Sequence, residues 1–316
     1  RLGTFGGPLL DSVVFLLKSF FWLMTHEGEY DAVHVHLAGS PALGAALAAR
    51  LLKKRVVVKI GGGRGIGEIA VSATTGPGRL KLRLLKRLRP QFACVAQDLL
   101  DELREHGLGE GALVVPNGVD LAAYRPPSLE EKTALRKDLC KPGLLFLYVG
   151  RLAPEKRLDP FLGSFAEALR EAKTVATFLM AGSGPEEGRL RERIRALGLE
   201  GRARVLEPRH DIAELYAAAD VFVLPSVSEG LSNALLEAMA AGLAVLASRV
   251  GGTREAVAEG TTGLLYDPND PVDEKKQLVR LLSEPGLIFR LGREGRAVAE
   301  ARYSIVRTAQ RYLELY

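Results

Sequence analysis

The chain has 316 residues, 47% of them hydrophobic, with 43 Lys and Arg against 38 Asp and Glu for a net charge of +5. That length exceeds one ordinary core and predicts two domains. Two cysteines far apart, Cys94 and Cys140, match neither a disulfide scaffold nor a zinc spacing and favour a reduced, cytoplasmic setting, with no metal site expected. The longest apolar stretch, Val13 to Met24, is broken by Lys18 and Ser19 and is too short to span a bilayer. No secretory signal is expected at Arg1.

Residues 11–26 read as a helix, Asp31 to Leu37 as a strand, Pro41 to Leu52 as an Ala/Leu-rich helix, and Arg55 to Ile60 as a buried strand. The run GGGRGIG follows from Gly61. Read as G-x-G-x-x-G it would need a glycine at Ile66, so a dinucleotide-binding turn fails on spacing. A mobile Gly-rich loop over a cleft, or a plain flexible connection, is left.

Charge is uneven along the chain. Residues 1–127 hold 16 Lys and Arg against 11 Asp and Glu, whereas residues 128–316 hold 27 of each. Within the first part, Arg79 to Arg89 has six cations and no anion, with Leu80, Leu84 and Leu88 on one helical stripe and Arg79, Arg83 and Lys86 on another. Such a basic amphipathic helix suits an anionic membrane surface, and a solvated face of an ordinary packed helix is the plainer reading. No aromatics interleave with the cations and no helix-turn-helix, zinc or RNA-recognition signature accompanies them, so nucleic acid is not an expected partner. Phe92 to Gln97 reads as a strand, Asp98 to Gly107 as a helix, and Ala112 to Pro116 as a strand entering the turn Asn117 to Asp120.

Tyr124 to Gly143 combines paired prolines, a charged helix and a Pro-Gly stop, as expected of an interdomain crossing, and places a boundary near 127. Beyond it, strands at Leu144, Thr174, Arg202, Val221, Leu243 and Gly263 alternate with helices from about 158, 186 and 211 and a helix bearing Glu237. Alternation of this kind with continuous apolar strands predicts an α/β domain whose parallel sheet is covered on both faces. Ligands of such sheets collect at the carboxyl ends of the strands.

Val221 to Gly242 carries the strongest functional signal, because a buried strand runs through a polar loop into a helix with Glu229 in the loop and Glu237 eight residues later. At roughly 100° per residue Glu237 faces back toward the helix mouth. The amides of Gly230, Leu231 and Ser232 fall where a helix N-terminus leaves donors unpaired, which favours an anion such as a diphosphate. Arg151 and Lys156 leave the domain's first strand at the same sheet edge and supply cations for it, Arg through bidentate hydrogen bonds and Lys as a point charge. Incidental surface glutamates and solvated cations are the bland alternative to each residue alone.

VGRLAPEKRLD, AGSGP, DIAELYAAADVFVLPS, SEGLSNALLEAMAAG and ASRVGGTREAV, in that order, together with PNGVDLAAYRP ahead of the linker, resemble the retaining GT-B glycosyltransferases of family 4. The resemblance implies two Rossmann-like domains facing a cleft: residues 1–127 on the acceptor side, completed by a helix at about 301–316, and residues 128–300 binding a nucleotide sugar. It implies metal-independent transfer to a saccharide, lipid or other glycoconjugate acceptor, with no cofactor beyond the nucleotide sugar as co-substrate. The family's Arg-x4-Lys pair falls on Arg151 and Lys156, which would hold the donor diphosphate, and its Glu-x7-Glu pair on Glu229 and Glu237, which would contact sugar hydroxyls and ribose. Gly230, Leu231 and Ser232 would touch sugar or phosphate with Asn233 assisting, and His36, Gly61 and Gly62 would lie on the acceptor side.

The departures are also specific. The resemblance implies that the family's opening strand and Gly-rich loop are missing, so the first domain is expected to be incomplete; Arg1 to Pro8, with Gly6 and Gly7, do not align to that loop, and Gly61 to Gly63 stand where a His is frequent after the strand. His36 matches a neighbouring family His, a local hydrogen bond at a strand end being its plainer role, and His34 reads as structural. Pro208 replaces a common Gly and Gln97 a common Ser, which removes support for base contacts near Glu207 to His210. A nucleotide-sugar 2-epimerase and a non-catalytic nucleotide-sugar-binding module remain as other readings of the same fold.

Overall fold

The structure, a computed structural model, describes residues 8–316 apart from 138, 140, 141, 208 and 210. Gly6, Gly7, Cys140, Pro208 and His210 lie outside the described residues. The chain divides into two compact units: the residues up to Pro116 with Ser228–Leu231 and Thr308–Tyr316, and Asn117–Val227 with Ser232–Arg307.

The first unit runs α1 (Pro8–Thr25), β1 (Ala32–His36), α2 (Ser40–Leu52), β2 (Arg55–Ile60), α3 (Glu68–Thr74), α4 (Gly76–Leu88), β3 (Gln91–Cys94), α5 (Gln97–Glu105) and β4 (Leu113–Val114). Its four strands are parallel in the order β1-β2-β3-β4. The β-branched run of β2 buries Val57, Val58 and Ile60, because both faces of the sheet are covered and no polar alternation is needed. Val57, Ala93 and Val115 form a core with Tyr312 from the end of the chain, and Leu315 packs against them. Burial pushes the Cys94 thiol up to about 12.

Helix α4 forms over the basic stretch, capped by Thr75, which accepts from Gly78 N at 3.1 Å, with Pro77 in its first turn. Its inward stripe differs from the expected one. Leu82 and Leu85 are buried while Leu80 is 56% exposed. Lys81 turns inward and donates to the Ala38 carbonyl at 2.7 Å, and burial lowers its pKa. The reason is neighbours on two sides, α2 and α3, which recruit the side of the helix between the two stripes read from spacing. Arg83, Lys86 and Arg87 stay exposed.

The second unit contains α6 (Leu129–Arg136), β5 (Leu144–Val149), α7 (Leu158–Ala172), β6 (Ala176–Ala181), α8 (Glu187–Ala196), β7 (Ala203–Leu206), α9 (Ile212–Ala218), β8 (Val221–Leu224), α10 (Asn233–Ala240), β9 (Ala244–Ser248), α11 (Gly251–Ala256), β10 (Gly263–Tyr266), α12 (Pro271–Ser283) and α13 (Pro285–Arg302). A last helix, α14 (Ile305–Leu313), carries the chain into the first unit, where Thr308 Oγ1 donates to the Pro116 carbonyl at 3.2 Å. The six strands are parallel in the order β10-β9-β8-β5-β6-β7, so the winding reverses between β5 and β8. Phe146, Phe161, Phe165 and Phe178 interlock beneath α7 with ring centroids 5.2 to 6.4 Å apart.

The units divide at Pro116/Asn117 and Arg307/Thr308, where the sequence reading placed the limits near 127 and 300. Residues 117–127 are bound to the second unit before the charged helix begins. Val119 N donates to the Tyr303 carbonyl at 2.7 Å, and Arg296 donates to the Tyr124 carbonyl at 2.7 Å. Paired prolines signal a crossing but do not say which side its backbone hydrogen bonds join.

Candidate functional site

Two loops leave the second sheet where its winding reverses, the position at which open α/β sheets gather ligands. After β5 the chain passes Gly150 and Arg151 and closes a short 3-10 turn, Pro154–Lys156, ended by Arg157 in the left-handed region at φ 51°. That loop lies along the one following β6: Gly150 N donates to Ala181 O at 3.0 Å and Leu152 N to Ser183 O at 2.9 Å. The approach is close enough that a Cβ on Gly182, whose φ is +153°, would overlap the Gly150 carbonyl. Beneath it, the hydroxyl of buried Tyr148 donates to the Arg151 carbonyl at 2.8 Å. AGSGP thus presses the loop bearing Arg151 and Lys156 into one path.

Arg151 is largely exposed and pairs with Glu155, four residues on. Burial opposes the charged form of Glu155, but its own backbone amide and Arg151 outweigh that and hold the carboxyl below its usual range. Lys156 is half-buried on the same turn.

After β8 the second loop is fixed from below: Ser248, buried on β9, donates to the carbonyls of Leu224, at 3.3 Å, and Ser226. Val227 N donates to Glu155 O at 2.9 Å, which joins the two loops. Ser232 caps α10 by accepting from Leu235 N at 3.3 Å. The helix therefore begins at Asn233. Gly230, Leu231 and Ser232 precede it rather than forming its first turn, and the helix-mouth amides belong to Asn233 and Ala234.

Glu237, one turn further along α10, is half-buried, and the Tyr216 hydroxyl donates to its Oε2 at 2.8 Å. Tyr124 stands near the same carboxylate, and the two groups shift one another's pKa. Burial raises the Glu237 pKa and the two phenols act against that rise.

Ser228–Leu231, including Glu229, group with the first unit. Ser228 Oγ donates to the Arg64 carbonyl at 3.0 Å, and a Cβ on Gly63 or on Gly230 would collide with Ser228 or with the Gly61 carbonyl. Gly62 is tight as well, with the site of a Cβ 3.0 Å from Gly67 Cα. The glycine run is anchored, not loose as the mobile-loop reading had it: Arg64 reaches Asp98 at 3.0 Å and Glu105 at 2.5 Å, and Gly65 N donates to Glu102 at 2.9 Å. Asp98 and then Glu105 raise the Arg64 pKa. Three carboxylates of α5 hold a segment whose glycines alone suggest freedom.

His36 ends β1, exposed, opposite Lys59 in register and stacked on His34 with centroids 4.7 Å apart. His34 shares a hydrogen bond with the Tyr316 hydroxyl and packs on Tyr312, and burial, then His36 and Lys59, push its pKa down to about 4. His34 thus serves the seating of the C-terminal helix. Among the described residues no three His, Cys, Asp or Glu side chains cluster as metal ligands do.

Two family profiles match the chain, "Glycosyltransferase Family 4" over residues 4–123 and "Glycosyl transferases group 1" over residues 143–284. The chain belongs to the family 4 glycosyltransferases. D-inositol 3-phosphate glycosyltransferase of Frankia alni is 39% identical over 196 residues, 58% of this chain and 48% of that protein. The Streptosporangium roseum protein of the same name is 33% identical over 247 residues, 74% of this chain and 55% of that protein. The chain spans about half the length of the curated relatives it matches. Among solved structures, Anabaena HepE in complex with UDP superposes with a TM-score of 0.81 at 22% identity, covering 98% of this chain and 83% of that one. Sucrose-phosphate synthase from Thermosynechococcus elongatus gives 0.78 at 21%, covering 98% and 80%. The fold is GT-B, two Rossmann-like α/β domains.

In this family 4 chain the residues that sequence reasoning missed are the supports. Tyr148, Tyr216 and Ser248 are buried residues on a strand or helix, where their apolar neighbours make them look like core. Tyr124 sits among linker residues. The only available signal was a polar atom on a side chain too deep to leave it unpaired.

Proposed function

We propose that the protein transfers a sugar from a nucleotide-diphosphate sugar to a saccharide, lipid or other glycoconjugate acceptor, with retention of configuration and without a metal. The observation that carries this reading is the joining of the Arg151–Lys156 loop to the loop leading into α10 at the reversal point of the second sheet. Arg151 and Lys156 hold the donor diphosphate and stabilise charge on the leaving group. Glu229 contacts the sugar hydroxyls, the amides of Gly230, Leu231 and Ser232 with Asn233 contact sugar or phosphate, and Glu237 takes the ribose. His36, Gly61 and Gly62 face the acceptor. The leaving phosphate accepts the acceptor's proton as the new bond forms on the same face, so no enzyme nucleophile is required.

UDP is the first nucleotide to test because it is bound in the HepE structure, and D-inositol 3-phosphate is a first acceptor because the curated relatives are named for it. In a thermal-shift panel of UDP, GDP, ADP and TDP, the cognate nucleotide at about a hundred times its dissociation constant adds about 2.7 kcal/mol and raises the unfolding temperature. No response to any of the four would remove the donor site from the reading.

We further propose a cytoplasmic protein that rests peripherally on an anionic membrane. Among the described residues no helix is long and apolar enough to cross one. The support is the exposed Arg83, Lys86 and Arg87 of α4, with α2 packed between that helix and α1, whose outer face leaves Leu10, Leu17, Phe21 and Trp22 exposed. Cations near a charged bilayer are worth about 1 kcal/mol each, so the protein should sediment with phosphatidylglycerol-containing vesicles and largely remain in solution with pure phosphatidylcholine. Equal sedimentation with both would count against this.

A further inference from the structure

The Glu237 carboxylate is met by two phenols from distant parts of the chain. Tyr216, fully buried on α9, donates to Oε2 at 2.8 Å, and its hydroxyl also lies 3.2 Å from the Ala234 carbonyl in the first turn of α10. Tyr124 comes from the segment that enters the second unit and packs edge-on against the Tyr216 ring, centroids 5.5 Å apart at 84°. That packing sets Tyr124 beside the same carboxylate, whose charge, after burial, raises the Tyr124 pKa. Tyr124 is itself fixed through its backbone: its carbonyl accepts from Arg296 at 2.7 Å and its amide donates to Asp120 O at 3.0 Å.

An ionised carboxylate offers about four acceptor positions. With one taken by the Tyr216 hydroxyl and a second on the side of Tyr124, two remain, the number that a vicinal diol needs. A glutamate carboxyl turns easily about its last torsion, and a half-buried one left without donors favours its protonated form. The phenols oppose both tendencies, and burial raises their own pKa values, which keeps them protonated as donors.

We propose that Tyr216 and Tyr124 are positioning residues for ribose recognition, holding the Glu237 carboxylate so that its free acceptor positions meet the 2′- and 3′-hydroxyls of the donor nucleotide. The inference rests on the reading of Glu237 as the ribose ligand. It adds that the segment entering the second unit takes part in that recognition through one hydroxyl.

The test is calorimetric titration with UDP and 2′-deoxy-UDP, and with GDP and 2′-deoxy-GDP, on the wild type and on Glu237→Gln, Tyr216→Phe and Tyr124→Phe. The quantity read is the ribo/deoxy affinity ratio, which a general loss of stability does not move selectively. The wild type should prefer the ribonucleotide about tenfold or more, as one charge-assisted hydrogen bond allows. Glu237→Gln should bring the ratio close to one, and each Tyr→Phe variant should lower it several-fold while still binding the nucleotide. A wild-type ratio in both Tyr→Phe variants, with Glu237→Gln losing it, overturns the positioning role alone. A wild-type ratio in Glu237→Gln overturns the ribose reading, and the positioning role with it. Tyr124→Phe keeps the test decisive if Tyr216→Phe fails to fold, because Tyr124 is not fully buried.

Discussion

Lys156→Ala is expected to slow turnover of the nucleotide sugar about ten- to a hundredfold, the loss that follows from removing one charge-assisted hydrogen bond worth about 1.5 to 3 kcal/mol from the transition state. The charge matters most when the bond to the diphosphate breaks, so the loss should fall on kcat rather than on KM alone. Lys156 lies on a 3-10 turn held at both ends, by Leu152 and Arg157, so truncating its side chain leaves the loop path intact. Lys156→Arg should recover only part of the rate, since a planar fork does not replace a point charge in place. Glu229→Gln is expected to cost a similar factor. Wild-type turnover in Lys156→Ala would sink the assignment of the cation pair.

Gly182→Ala should cost about 2 to 6 kcal/mol of stability, read as a fall in the urea midpoint, and should weaken nucleotide binding at the same time. Backbone strain at φ +153° accounts for about 1 to 3 kcal/mol, and forcing a methyl group against the Gly150 carbonyl for about 1 to 3 more. Binding suffers because the carbonyl that must move belongs to the strand end that carries Arg151. Gly188→Ala is the control, since α8 leaves open space there and alanine favours a helix over glycine by roughly 0.5 to 1 kcal/mol. An unchanged midpoint in Gly182→Ala would contradict the close approach of the two loops.

Much of the chain is legible without coordinates, for reasons that are local. RVVVKI and LLFLYV are strands because β-branched and aromatic runs of that length fit a sheet covered on both faces. The helix after Ser232 is announced by its cap, and the parallel six-stranded sheet by alternation of strand and helix. The helices past Gly251 were less legible. Charged and alanine-rich residues there carry a weak periodic signal, and packing on strands of the second sheet decides where they lie.

For the site, spacing put forward Arg151, Lys156, Glu229 and Glu237 as candidates, because each sits next to a strand end or on a helix whose period is known, and the resemblance to the family supplied their expected roles. Spacing could not place the helix mouth to the residue, and it left Gly61 to Gly63 as a loose loop. The anchoring of that loop depends on Asp98, Glu102 and Glu105, three carboxylates far along the chain whose side chains meet Arg64 and the Gly65 amide only after α5 has packed. The inward stripe of α4 was decided in the same way, by neighbours on two sides of one helix.

The sequence by itself determined the two-domain α/β plan, the family and the residues at the sheet edge, since these follow from periodicity, strand composition and motifs that need only short stretches of chain. Tertiary structure alone decided that Tyr216 and Tyr124 converge on Glu237, that Tyr148 and Ser248 hold the site loops from below, and that residues 117–127 join the second unit. Those outcomes depend on where buried polar atoms find partners across tens of residues. A hydroxyl inside the core must be paired, but nothing local says with what.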